Sequence, residues 1–377
     1  MDSKKAYKIY SYVFNIFSHF PIKDKVALLS PHMASFTDSL GEMEIEFKSR
    51  GYKSVRISGS DVKPEKINLK ALCKMFLFFT IGAYRLATAR FVFLNDNFMP
   101  MADLNFKKEA VITQLWHGEG ALKKVGLDTF LPEDIRERVI KANERLDFLI
   151  CSSEAVKPVY VSGFGVPEDK ILAYGSPRAD RYIKSNSDKE KAKAVREKLF
   201  GKTDKKIILY APTFRDDPKV NSKLLGNFDF DLFNERFFDK YLLVLRLHPQ
   251  MHKGIEVPKN VIDMTSHPSV DDIIKATDML ITDYSSICLN YALVGKPCIF
   301  YAFDLEEYER DRNFYLGYKN YVPGPVAETF EELIDAVLNF EYDEEAIKKF
   351  VELNFGKPDG ISAKRIADRV ILEANKK

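Results

Sequence analysis

The 377 residues are 46% hydrophobic and 30% charged, enough apolar material for a large core in a chain long for one domain, so two α/β domains are expected. A net charge of only +2 argues against a general nucleic-acid binder, which carries a basic excess on one face. Cys73, Cys151, Cys288 and Cys298 show no CxxC or Cys/His ligand spacing, which argues against a metal site and predicts buried thiols of a reducing compartment.

No signal-peptide pattern is expected at the start, where Met1 precedes a polar, Lys-containing segment and then an amphipathic one. From Lys4 to Phe20, Tyr10, Val13, Phe14 and Phe17 line up on one helical face; such a helix either packs on its own domain or lies on acidic lipid, and both readings require this pattern. KVALLS (Lys25 to Ser30) reads as the first strand, and a loop, a helix and a second strand ending at Ser58 complete a βαβ unit. Leu69 to Leu94 is the most apolar segment, but Lys74, Arg85 and Arg90 interrupt it before the roughly 18–20 residues of a membrane span are reached. A helix leading into the strand FVFLND is expected instead, with some aromatics left to face lipid.

VITQLWHGEGALKKVG (Val111 to Gly126) ends a strand at Leu115 and places the single Trp and His117 at its carboxyl end, where open α/β sheets hold ligands. A lone His beside a Trp is usually structural. Here Gly118 and Gly120 allow a close turn and Lys123 and Lys124 supply cations for phosphate, which turns the reading toward a site. Phe148 to Cys151 then reads as a strand with Ser152 or Ser153 capping a helix, and KILAYGSPRADRY as a short strand and a turn. Beyond Tyr182 the sequence becomes lysine-rich and poor in apolar residues, a domain junction plus a solvated helix; it lacks the interleaved aromatics of a nucleic-acid patch.

The strand Ile207 to Tyr210 runs into Pro212, Thr213 and Arg215, and YLLVLRLHPQ ends in Arg246 and His248. Asp278 to Asp304 reads as buried strand, polar turn, helix and buried strand, with Ser285 and Ser286 at the helix start. Plain capping is one role for these serines; the unpaired N–H groups and dipole of a helix start also suit a phosphate oxygen. Hydroxyls, cations and a His on one crevice edge, from Thr213, Arg215, Arg246, His248, Ser285 and Ser286, suit a diphosphate. No metal-ligand spacing accompanies them.

The ordered set QLWHGEGALKKVG, YGSPRADR, LYAPTFRDD, LRLHP, DMLITDYSSICLNYALVGKPCIFYAFDLEEY, DRNFY and KPDGISAKR resembles the CDP-glycerol glycerophosphotransferase family of wall teichoic acid synthesis, from about Gln114 onward. The resemblance implies an α/β GT-B fold, two Rossmann-like domains facing across a cleft. Residues 1–185 would form the acceptor and membrane side, 186–377 would hold the donor, and the last helix would cross back. It further implies CDP-glycerol as donor, CMP as product, a prenyl-diphosphate-linked disaccharide as acceptor, no cofactor, no nucleic acid and a peripheral place on the cytoplasmic face of the membrane. A divalent metal and homo-oligomerisation are left open.

Carried over by motif, His117 corresponds to the family's catalytic base and His248 to a second histidine of the centre. Gly118, Lys123, Arg178, Pro212, Thr213, Arg215, Arg246, Ser285, Ser286 and Arg365 fall on substrate-binding positions, and Asn290 stands where the family usually has Asp. The loop GEGALKK is one residue longer than the HGTPLKK of the polymerases and looks like that of the priming enzymes, so a glycerophosphate primase is expected, with Glu119 repelling a second glycerophosphate. A glycerol- or ribitol-phosphate polymerase, a nucleotide-sugar glycosyltransferase of the same fold and a membrane-associated scaffold are the alternatives.

Overall fold

The computed structural model describes all residues except 1–2, 33–35, 60–67, 187, 216–219, 222–223, 249–250 and 252–256. The chain divides into two compact units, Met1–Arg181 with Asn354–Lys377, and Tyr182–Leu353.

The first unit carries strands β1 (Lys23–Ser30), β2 (Lys53–Ser58), β3 (Ala89–Leu94), β4 (Val111–Gln114), β5 (Phe148–Ile150) and β6 (Ile171–Leu172). They form one parallel sheet in the order β2-β1-β3-β4-β5-β6. Side chains alternate across a strand, and both faces are apolar here. Ala27, Leu29, Val92 and Leu94 join the core on one face, while Val26, Leu28, Phe91 and Phe93 join that on the other. Burial on both faces explains why these strands read as unbroken apolar runs.

The first core is completed by the helix Ser3–Phe17, which buries Tyr10 and Phe14 and packs Val13 and Phe17 against the same cluster. The aromatic face of this helix is therefore a core face. The opposite core is filled by Leu40, Met43 and Phe47 of the helix Ser39–Ser49 and by Ile366, Ala367 and Val370 of the helix Ser362–Ala374. That last helix is tied down by Ala363 N donating to Asp180 Oδ2 (2.9 Å) and Lys377 Nζ donating to Ala110 O (2.9 Å). Residues 354–377 thus group with the first unit.

The second unit carries β7 (Lys206–Ala211), β8 (Tyr241–Leu245), β9 (Ile262–Asp263), β10 (Met279–Thr282), β11 (Cys298–Tyr301) and β12 (Val326–Ala327). Its parallel order is β12-β11-β10-β7-β8-β9. An aromatic core built on Tyr210, Phe228, Phe230 and Phe233 lies against it.

Each sheet reverses its direction of growth once, between β1 and β3 in the first unit and between β7 and β10 in the second. Such a switch point leaves a crevice outside the carboxyl ends of the two strands, because their following loops depart in opposite directions. Three elements were not expected. Leu69–Leu77 and Ala83–Ala87 are joined by a π-helical turn, Phe78–Gly82; Pro177–Asn186 is a helix where a turn was read; and Glu344–Phe355 is a further helix. Cys151, Cys288 and Cys298 are buried as expected, whereas Cys73 is exposed. Among the described residues no helix is long and apolar enough to cross a membrane.

Gly126 closes the loop that follows β4. Its φ is +55°, and a Cβ there would sit 2.1 Å from the carbonyl oxygen of Gly163. Gly126→Ala is expected to destabilise the protein by at least about 1–3 kcal/mol through backbone strain alone, read as a lowered midpoint in urea; an unchanged midpoint would show that the loop relaxes away from Gly163.

Candidate active site

In the first unit the carboxyl ends of β3 and β4 are level, since Leu94 pairs with Gln114. Buried Gln114 binds the two departing loops together: its Nε2 donates to Asp96 O (3.0 Å), and its Oε1 accepts from Trp116 N (3.1 Å). Trp116 adopts φ +56°, a left-handed conformation costly for a large L-residue. The indole is held edge-on to Phe164, with centroids 4.8 Å apart, and tilted against the His117 ring at 4.4 Å. This sharp turn presents His117 with its side chain 49% exposed, while Nδ1 faces Asn95 O at 3.2 Å and Asp96 Oδ2 at 3.5 Å.

The rest of the loop is fixed just as closely. Gly118 O accepts from Tyr160 Oη (2.8 Å), Gly120 N donates to Ser152 Oγ (3.3 Å) and Ala121 N donates to Asn354 Oδ1 (3.2 Å). A Cβ on Gly118 would stand 3.0 Å from Trp116 Nε1, so glycine keeps the turn tight. The Glu119 carboxylate, 11% exposed, takes hydrogen bonds from Ser176 Oγ and from Arg178 Nε and Nη2. Its charge is spent on Arg178, so the expected repulsion of a second glycerophosphate loses its basis. Lys123 and Lys124 lie half-buried on the same loop.

Two arginines expected to touch substrate serve the first unit itself. Arg178 holds Glu119. Arg365 donates to Tyr174 O (2.7 Å) and pairs with Asp359, fastening the C-terminal segment.

In the second unit Ala211 and Thr282 are paired across the switch point, so Pro212–Thr213 and Ser285–Ser286 emerge side by side. Asp283 fastens the two loops, with Oδ1 accepting from Thr213 N (2.8 Å) and from Tyr284 N (2.7 Å). Arg215 is bound just as firmly within the second unit. Its side chain is only 7% exposed, and the guanidinium donates to Asp304 Oδ2 (2.8 Å), Asp304 Oδ1 (2.9 Å), Asp283 Oδ2 (2.9 Å) and Thr213 O (2.6 Å). The rings of Tyr284 and Tyr308 lie 5.0 Å from it. Burial opposes the charged form, but the two carboxylates outweigh it and hold Arg215 protonated more firmly than a free arginine. A guanidinium so satisfied is a structural keystone of the second unit.

Arg246 is likewise occupied, donating to Met264 O (2.8 Å) and His267 O (2.9 Å) at the edge of the sheet; burial lowers its pKa, and Asp263 opposes that in part. Asn290 is 5% exposed within the helix Ile287–Leu293. His248 is exposed beyond β8, its ring 5.7 Å from that of Phe214. Ser286 is exposed and makes no side-chain cap bond, whereas Ser285 Oγ accepts from Ile287 N at 3.4 Å. Thr213 Oγ1 is buried without a hydrogen-bond partner among the described residues. Of these strand-end residues, Ser286 after β10 and His248 after β8 are exposed.

Asn95, Asp96, Gln114, Asp283 and Asp304 were not singled out from sequence, although each lies at or just after a strand end, where acids and amides that tie loops are found. A cavity of about 540 Å³ beside Asp304 is also lined by Glu306, Glu307 and Glu328, a charge that disfavours a diphosphate. Among the described residues no group of three or more His, Cys, Asp or Glu side chains could hold a metal ion.

Removing Arg215 would leave Asp283 and Asp304 buried and uncompensated. Arg215→Ala is expected to cost about 3–5 kcal/mol in urea unfolding, much more than Ser286→Ala; equal and small effects would return Arg215 to the role of a surface ligand.

Residues 14–372 match the family described as CDP-Glycerol:Poly(glycerophosphate) glycerophosphotransferase. The chain is 32% identical over 299 residues to the teichoic acid poly(ribitol-phosphate) polymerase of Bacillus spizizenii, covering 77% of this chain and 48% of the polymerase. It is 32% identical over 293 residues to the teichoic acid ribitol-phosphate primase of the same organism, covering 76% and 75%. The chain thus spans about half of that polymerase and three quarters of that primase. A variant of the wall teichoic acid polymerase TagF soaked with CDPG has a similar structure, with a TM-score of 0.78, 24% identity and coverage of 99% of this chain and 94% of the other.

Proposed function

The chain belongs to the CDP-glycerol:poly(glycerophosphate) glycerophosphotransferase family, and from that premise we propose that it transfers glycerol phosphate from CDP-glycerol to a hydroxyl of a prenyl-diphosphate-linked disaccharide, releasing CMP. The observation that carries this reading is His117, half-exposed on a rigid left-handed turn at the carboxyl edge of the first sheet. The acceptor oxygen attacks the β-phosphorus in line, forming the new P–O bond as the bond to the CMP phosphate breaks. The hydroxyl proton passes to His117, and the electron pair of the broken bond leaves with CMP. Histidine is the side chain best placed to exchange that proton near neutral pH. Thr213, Ser285 and Ser286 at the second switch point, with His248 at the end of the neighbouring β8, are assigned to the diphosphate, where donors stabilise the charge growing on CMP.

Ribitol phosphate is the second donor reading, because both teichoic acid relatives described above are named for it. CMP release is measured from labelled CDP-glycerol and CDP-ribitol with a synthetic lipid-linked disaccharide. Release from CDP-glycerol is expected, and His117→Ala should lower it by ~10²–10⁴ with donor affinity kept. Faster release from CDP-ribitol would change the donor, and release from neither would reject the function.

The acceptor class places the enzyme at a membrane surface, and the first unit offers a surface for it. Ile9, Tyr12 and Ile16 of the first helix, with Leu69, Leu72, Phe76, Leu77 and Ile81, are exposed. The two segments adjoin, since the rings of Tyr10 and Phe78 lie 5.1 Å apart and those of Phe17 and Tyr84 5.5 Å apart. Neither 3–17 nor 69–87 contains an acidic residue, while Lys4, Lys5, Lys8, Lys70, Lys74 and Arg85 supply cations; Lys4 is partly spent on Asp134 at 2.8 Å. Apolar side chains ringed by cations fit an anionic bilayer, where each cation contributes about 1 kcal/mol and is screened by salt. The protein should sediment with phosphatidylglycerol vesicles, less so at high salt, and the double variant Leu72→Ser/Phe76→Ser should not. Equal sedimentation of the variant would move the contact elsewhere.

A further inference from the structure

The proton position on His117 follows from its neighbours. The groups facing Nδ1 are the Asn95 carbonyl oxygen at 3.2 Å and the Asp96 carboxylate at 3.5 Å, and both accept hydrogen bonds. We infer that Asp96 is a positioning residue which, with the Asn95 carbonyl, keeps the hydrogen of neutral His117 on Nδ1 and so leaves the lone pair on Nε2 as the base. The inference rests on the reading of His117 as the base. It adds to that reading which nitrogen acts, and a residue outside the substrate contacts that decides it.

The surroundings of Asp96 suit this role. Its Oδ1 is fixed by Asn97 N at 2.7 Å, and its backbone oxygen by Gln114 Nε2 at 3.0 Å. The carboxylate is thereby held to one orientation with Oδ2 directed at the ring. Asn95 is fixed in turn, because its amide nitrogen donates to Asp38, the N-cap of the helix Ser39–Ser49. Both acceptors therefore come from one braced turn at the end of β3, while the histidine comes from the left-handed turn at the end of β4. Gln114 joins those turns through Asp96 O and Trp116 N.

The chemistry of a base then assigns Asp96 two effects. It selects the tautomer whose Nε2 can take the acceptor's proton, and it stabilises the imidazolium that exists once the proton has moved, before solvent removes it. The His117 Nε2–H bond forms as the acceptor O–H bond breaks. An amide in its place has a donor to offer, and an amide nitrogen turned toward Nδ1 would favour the opposite tautomer.

Full-length protein labelled with ¹⁵N-histidine reports the tautomer directly in long-range ¹H–¹⁵N correlation spectra, and His117→Gln identifies the relevant signal among the six histidines. Wild type is expected to show the hydrogen on Nδ1 of neutral His117. Asp96→Asn should move part of the population to Nε2–H and lower kcat for CMP release by about 10–10², within the range that base catalysis contributes, with KM for CDP-glycerol unchanged. Wild type with the hydrogen on Nε2, or Asp96→Asn with unaltered tautomer and turnover, would overturn the inference. So would lost turnover in Asp96→Asn with the Nδ1–H signal intact, because Asp96 would then act by another route. Undiminished turnover in His117→Gln would instead overturn the base reading itself, a result the spectra do not depend on.

Discussion

Parallel strands covered on both faces confine chemistry to their carboxyl ends, and the rest of this molecule follows from that constraint. Within each sheet the backbone is satisfied by its neighbours and the side chains are spent on the cores, as with Leu29 and Leu94 on one face and Leu28 and Phe93 on the other. At the ends the loops leave the ladder, and their polar groups need partners of their own. In the first unit Gln114 and Asn95 meet that need. In the second it is met by Asp283, whose carboxylate takes the N–H groups of Thr213 and Tyr284. The same reinforcement holds His117, Thr213 and Ser285 in fixed positions, so the need for buried polar satisfaction also preorganises the site.

That arrangement redistributes the charges. Arg178, Arg215, Arg246 and Arg365 all have protein partners, respectively Glu119, the Asp283–Asp304 pair, the Met264 and His267 carbonyls, and Tyr174 with Asp359. A buried guanidinium costs several kcal/mol to desolvate unless carboxylates repay it, and Arg215 has two. Each of these guanidinium groups therefore serves to tie loops and termini of its own unit.

The two-residue strands β9 and β12 are too short to show a pattern, whereas the central strands were legible as apolar runs, and the strand-end positions of His117, Thr213 and Ser285 came with them. The arginines were not. An Arg shortly past a strand end, as Arg215 is past Ala211, fits a phosphate or a carboxylate equally well by sequence, and Asp304 stands 89 residues from Arg215 along the chain. Only the sheet order brings them together. Asp96 was hidden for a similar reason: its importance comes from facing His117, 21 positions on, across the gap between β3 and β4. The helix Pro177–Asn186 was read as a turn because Gly-Ser-Pro marks turns, although proline is equally at home in the first turn of a helix.

In the proposed reaction the acceptor oxygen itself bonds to the β-phosphorus. It is tested most directly with an acceptor carrying ¹⁸O in the reacting hydroxyl, the products being read by the isotope shift in ³¹P spectra and by mass. The account predicts ¹⁸O in the new phosphodiester and none in CMP. Label in CMP, or a phosphodiester without label, would contradict it.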